Sequence, residues 1–175
     1  MLQFLLELDK NILLFIQEHL RFDWLTPIMK MITTLGDTGL IWIVIAAVLL
    51  CVKKYRGTGI TMAVALLIGY VIANLILKNL IGRIRPYDAV DAIQALVGPM
   101  HDWSFPSGHS TSSIAASLVI YKRMPKYAGI PALILGILIC LSRLYLGVHY
   151  PTDVLVGVFI GTVSAFIALY IVKEK

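Results

Sequence analysis

An all-α, polytopic transmembrane bundle of five to six membrane helices, preceded by an N-terminal amphipathic helix, is the fold predicted for this chain of 175 residues. Composition comes first: the chain is 59% hydrophobic and 14% charged, where soluble domains carry about 25% charged residues. Mean hydropathy is +0.86, and long uncharged runs recur from end to end. A soluble enzyme, a disordered chain and a secreted disulfide scaffold are excluded. The length suits one membrane domain over 1–175, with no second unit of useful size.

In residues 1–34, Leu2, Leu5, Leu6, Leu13, Phe15, Ile16 and Leu20 are interleaved with Glu7, Asp9, Lys10, Glu18 and His19. That pattern predicts an amphipathic helix suited to the membrane interface. The acids near the start, without a positive leader, do not resemble a secretory signal. A second short helix is expected over 23–34, with Pro27 in its first turn and Trp24 as an interface anchor. It either dips into the bilayer or completes a sixth span. The run 37–52 is uncharged between Asp37 and Lys53 and short for a span, since about 20 apolar residues is usual. The runs 57–77, 106–121, 127–143 and 154–172 predict four further spans.

The net charge of +5 does not point to nucleic acid, because the cations fall in short clusters between apolar runs. Lys53, Lys54 and Arg56 form one cluster, Lys122, Arg123 and Lys126 another, and Lys173 and Lys175 end the chain. All three lie on one predicted side, which the positive-inside rule makes cytoplasmic. Cys51 and Cys140 have no metal-binding spacing, and no disulfide is expected. There is no internal repeat.

Three polar stretches gather on the opposite side. Lys78-Asn79-Leu80-Ile81-Gly82-Arg83-Ile84-Arg85-Pro86 brings three cations to the end of a span. Pro86 forces Arg85 out of helical geometry, so its forked guanidinium can join Lys78 around a phosphate. Phe105-Pro106-Ser107-Gly108-His109 opens a helix, with Ser107 as N-cap and free amides near Gly108 suited to an anion. In Ser142-Arg143 through His149-Tyr150-Pro151-Thr152-Asp153, the Asp153 carboxylate can hold one imidazole nitrogen and free the other as a nucleophile. Each stretch also has a plainer reading: snorkelling cations, an ordinary capped helix, and a His–Asp pair tying a loop. Together they supply the parts for phosphoryl transfer, with fixed cations in place of magnesium.

The same residues resemble the motifs of one family. Lys78 through Arg85-Pro86 is similar to its lysine, six residues, arginine–proline motif; Pro106-Ser107-Gly108-His109 resembles its second motif. Ser142-Arg143, His149 and Asp153 resemble its third. The family is the type-2 phosphatidic acid phosphatases, membrane lipid phosphatases that share a helical core with bacterial acid phosphatases and vanadium haloperoxidases. The likeness covers about residues 57–172, the expected catalytic core. It implies His149 as the nucleophile that becomes phosphorylated, Asp153 as its orienting partner, and His109 as acid and then base. It implies Lys78, Arg85, Ser107, Gly108 and Arg143 as phosphate ligands, no metal or other cofactor, and a lipid phosphate substrate.

Within that resemblance, hydrolysis of undecaprenyl diphosphate to undecaprenyl phosphate is the favoured expectation. The site would then face outward from a bacterial cytoplasmic membrane. Phosphatidylglycerophosphate and phosphatidic acid are the runners-up. A non-catalytic lipid-binding or transport protein is disfavoured, because the spans are free of charge and not repeated. A haloperoxidase does not suit a membrane-embedded chain. Of the remaining polar residues, Arg83 is expected to be solvated at the interface, and His19 interfacial. His101 and Asp102 are expected to shape the rim, and Asp37 to cap the helix starting near 38. Gly157, Gly161 and Ala165 form a small-residue stripe expected to pack inside the bundle.

Overall fold

A computed structural model describes residues 2–173, and every regular element among them is helical. Helices α1 (Leu2–His19) and α2 (Leu25–Leu35) precede a tight turn at Asp37–Gly39 and α3 (Leu40–Cys51). Helix α4 (Arg56–Tyr70) runs through a π-helical stretch, Val71–Leu77, into the short α5 (Lys78–Ile81). After α6 (Pro86–Ala89) and an irregular stretch come α7 (Gly108–Arg123), α8 (Lys126–Tyr145) and α9 (Pro151–Ile171).

Local chemistry sets the joints that matter for the site. Gly147, at φ 72°, turns the chain after α8 in a conformation that side chains disfavour. A Cβ there would also meet Arg21 and the Gln94 carbonyl, each at 2.7 Å. Pro151 opens α9 at a position where the missing N–H costs nothing. Ser107 caps α7, its hydroxyl accepting from the Ser110 N–H.

The bundle is built around α7, which packs on α4, α8 and α9. Its Ala115, Ala116 and Val119 are fully buried with Trp42, Met62, Ile139 and Ala165. Trp42 donates its indole N–H to Ser113 at 3.0 Å. The small-residue stripe does pack internally. A Cβ on Gly161 would lie 2.5 Å from the Thr111 carbonyl, and one on Gly157 2.7 Å from that of Ser107. Only glycine lets α9 lie so close to α7.

The outer surface is apolar, with Leu67, Ile134, Leu155, Phe159 and Tyr170 exposed, as a lipid-facing surface requires. Lys53–Ala89, Lys126–Tyr145 and Pro151–Ile171 are each long and apolar enough to cross a membrane. Leu25–Leu35 and Asp37–Cys51, bent by 42°, together make a fourth candidate. The chain is therefore a multi-pass membrane protein. The sequence expectation of five to six spans counted 106–121 as one of them. Its realised form, α7, has 16 residues and carries Ser110, Thr111, Ser112, Ser113 and Ser117. Enclosed by other helices, it is freed from the apolar composition that lipid contact imposes.

Helix α1 exposes Phe4, Leu5, Leu6, Leu8 and Phe15 and turns Leu13 and Asp9 inward. At the far end of the bundle, Lys53, Lys54, Arg56, Arg123 and Lys173 line one recess. The basic clusters do meet there, although Lys175 lies outside the described residues.

Candidate active site

The π-helical stretch Val71–Leu77 widens the helix immediately before Lys78, a distortion that recurs at functional sites. It leaves Lys78 buried at the start of α5. Arg85, extended before Pro86 as its position requires, is also buried. Its Nη1 donates to the Val148 carbonyl at 2.8 Å and lies 3.4 Å from His149 Nε2.

Both cations hold Asp102. Lys78 pairs with one carboxylate oxygen and Arg85 Nη2 with the other at 2.5 Å, while Arg85 Nε donates to the Asp102 carbonyl at 2.9 Å. Burial alone would raise the Asp102 pKa, but Lys78 and Arg85 bring it down to about 2. It is therefore a carboxylate at any physiological pH. Asp102 is exposed at the rim, as expected, and its carboxylate also sits between two of the motif cations. His101 is exposed.

At the start of α7, Ser107 is buried and its hydroxyl is engaged by Ser110. Gly108 and His109 line the adjoining cavity, and Ser107 does not. His109 Nε2 is hydrogen-bonded to Asp37 Oδ1 at 2.9 Å. Asp37 caps no helix, contrary to expectation. Gly39, at φ 71°, immediately precedes α3, and no side chain caps it. The Asp37 carboxylate instead reaches across to α7.

Arg143, in the last turn of α8, is 1% exposed. Its Nη1 donates to Thr33 Oγ1 at 2.5 Å and its Nη2 approaches the Met100 sulfur at 3.3 Å. Its Nε has no hydrogen-bond partner, and among the described residues no carboxylate pairs with it. A buried cation without a counter-charge is costly, so this position is disposed to receive an anion.

His149 is 2% exposed, with Nδ1 3.6 Å from Asp153 Oδ2. Burial, reinforced by Arg143 and Arg85 and only partly offset by Asp153, lowers its pKa to about 3. The imidazole is neutral at pH 7, with a ring nitrogen available for attack. Asp153 is fixed on all sides. Its Oδ2 accepts from Ser104 Oγ at 2.5 Å and from the Tyr150 N–H at 2.9 Å; its Oδ1 accepts from Arg83 at 2.6 Å. Arg83, expected to be solvated, is enclosed: it pairs with Asp9 at 2.7 Å and lies 3.8 Å over the Tyr150 ring.

A cavity of about 800 Å³ joins Lys78, Arg85, His109, Arg143 and His149 to an apolar groove between α3 and α4 walled by Ile43, Ala46, Leu50, Leu66 and Leu67. Sequence reasoning missed Asp9, Thr33, Ser104 and Thr152 as parts of this site. Asp9 alone carries a signal, an acid among leucines, which the amphipathic pattern places on the wet face of its helix.

Comparison with known proteins follows the same outline. The family model for the PAP2 superfamily matches residues 58–175. An undecaprenyl-diphosphatase of Sulfolobus acidocaldarius is 31% identical over 131 residues, 75% of this chain and 63% of that protein. The match thus spans less than two thirds of that relative. A transmembrane PAP2-type phosphatidylglycerolphosphate phosphatase from Bacillus subtilis superposes with a TM-score of 0.75 at 31% identity, covering 94% of this chain and 84% of that one. LpxE of Aquifex aeolicus superposes with a TM-score of 0.80 at 25% identity, covering 94% of each chain.

Proposed function

Since the chain belongs to the PAP2 superfamily, we propose that it is a metal-independent phosphatase of lipid phosphates that works through a phosphohistidine on His149. Undecaprenyl diphosphate is its preferred substrate. The observation that carries this is the continuity of the cavity: a buried cationic end with two histidines opens into an apolar groove between membrane helices. A phosphate and a long hydrocarbon tail fit that combination together.

In the proposed reaction, Lys78, Arg85 and Arg143 take the non-bridging oxygens of the terminal phosphate, with Asp102 moving aside. The Gly108 amide at the start of α7 faces the same charge, whereas Ser107, expected as a phosphate ligand, donates its N–H to the Asp153 carbonyl at 3.0 Å. His149 Nε2 attacks phosphorus, the bond to the leaving oxygen breaks, and His109 protonates that oxygen. Asp153 steadies the charged ring through Nδ1. Water then gives a proton to His109 and attacks the phosphohistidine, releasing phosphate and neutral His149. The fixed cations hold the charge of both transition states.

The test is phosphate release by purified protein from undecaprenyl diphosphate, phosphatidylglycerophosphate and phosphatidic acid, with and without EDTA. The highest kcat/KM is expected for the diphosphate, unchanged by EDTA. Phosphatidylglycerophosphate is the second reading, favoured by the Bacillus subtilis structure that matches 94% of this chain. A preference for it would move the assignment. Loss in EDTA restored by magnesium would replace the fixed cations by a metal.

Asp102 holds the cations that the substrate needs. Asp102→Asn should therefore tighten inhibition by vanadate, which imitates the transition state. An unchanged inhibition constant would mean that the carboxylate does not compete for Lys78 and Arg85.

In the bilayer, α3, α4, α7, α8 and α9 serve as five crossing segments, with α1 in the outer interface and the basic recess in the cytoplasm. In a Cys51→Ser background, cysteines at Lys54 and Lys126 should be shielded from an impermeant thiol reagent in intact cells. Cysteines at Asp91 and His101 should react. The reverse pattern would place the site inside.

A further inference from the structure

Resting on the reading in which Asp153 steadies His149, we propose that Asp9 is a positioning residue for the reaction, acting on Asp153 through Arg83. Asp9 belongs to α1, outside the three motifs and outside the family-matched residues 58–175. It is nonetheless 2% exposed. Its Oδ1 accepts the Thr152 N–H at 2.9 Å, and its Oδ2 accepts Thr152 Oγ1 at 2.5 Å and Arg83 Nη2 at 2.7 Å. The other guanidinium nitrogen, Nη1, donates to Thr152 Oγ1 at 2.7 Å and to Asp153 Oδ1 at 2.6 Å.

Two consequences follow from this geometry. The Thr152 N–H is one of the free amides in the first turn of α9. Asp9 satisfies it from another helix and so fixes the turn that carries Asp153. Arg83 also divides its charge between two carboxylates. The cluster of Asp9, Arg83 and Asp153 carries one net negative charge, which remains to stabilise the His149 ring when it becomes cationic. Without Asp9, Arg83 neutralises Asp153 alone, and the stabilisation of the charged ring weakens. The plainer alternative is that Asp9 only pins α1 to the bundle, which would lower stability and leave kcat intact.

Asp9→Asn keeps the size and removes the charge. We expect kcat to fall at least about tenfold, as for loss of a group that orients a catalytic histidine at one remove. KM should stay unchanged, because Lys78, Arg85 and Arg143 do not touch Asp9, whereas inhibition by vanadate, which reads the transition state, should weaken in parallel with kcat. The loss should be equal on lipid and activated aryl phosphates. In an Arg83→Gln background, Asp9→Asn should cause no further loss of kcat. Glu18→Gln, on an exposed face of the same helix, should match wild type.

Should Asp9→Asn fail to fold, the smaller Asp9→Ser, which removes the charge and leaves room for water at the Thr152 N–H, should show the same selective fall in kcat. A folded Asp9 variant with kcat within about twofold of wild type overturns the inference. So do a change confined to KM and an additive loss in the double variant. If wild type itself releases no phosphate from any lipid phosphate, the underlying phosphatase reading falls instead.

Discussion

A folded His149→Ala protein is expected to turn over no substrate, its rate falling by more than about a thousandfold. The imidazole is the proposed site of covalent attachment, and the cavity offers no ready substitute. Of the aliphatic hydroxyls that line it, Thr38 is committed to the Asp37 carbonyl at 2.7 Å, Thr111 to that of Ser107 at 3.0 Å and Ser112 to that of His109 at 3.3 Å. The cations remain, so lipid binding should survive while chemistry stops. The measurement is phosphate release alongside equilibrium lipid binding, with folding checked by gel filtration and helical circular dichroism. Release near the wild-type rate by a folded variant would place the nucleophile elsewhere.

The second large effect separates the two histidines. A lipid alkoxide departs poorly and needs a proton, whereas an activated aryl oxide leaves unaided. His109→Ala should therefore lose about 10²–10⁴-fold on a lipid monophosphate. The loss should be smaller on a diphosphate, whose leaving group is itself a phosphate, and smallest on an aryl phosphate. His149→Ala should fail on all three, because attack precedes departure. The position of His109 suits this role: it lines the cavity, and Asp37 holds its ring from the side at 2.9 Å. Equal losses across the three leaving groups would mean that His109 positions phosphate or shapes the start of α7.

Much of this protein was determined by sequence alone, because lipid imposes its demands residue by residue. Uncharged runs marked α4, α8 and α9 before any contact was known, since a lipid-facing helix must be apolar wherever it packs. The three motif stretches were legible for a related reason. Proline next to Arg85, serine at the start of α7 and Tyr150-Pro151 after His149 act on their own backbones, and local spacing is what a sequence records.

Tertiary structure decided which charges have partners. Arg83 and Asp9 are 74 residues apart and Asp37 and His109 are 72 apart. Nothing local distinguishes a carboxylate that meets a cation from one that meets water. For that reason Asp9 reads as the wet face of a helix, Asp37 as a cap and Arg83 as solvated, and the two cations that Asp102 holds at the rim stay hidden. The same holds for α7, whose serines are tolerated because neighbouring helices, not lipid, surround it. Pairing and enclosure depend on what the rest of the chain brings within a few ångströms, and only the folded bundle fixes that.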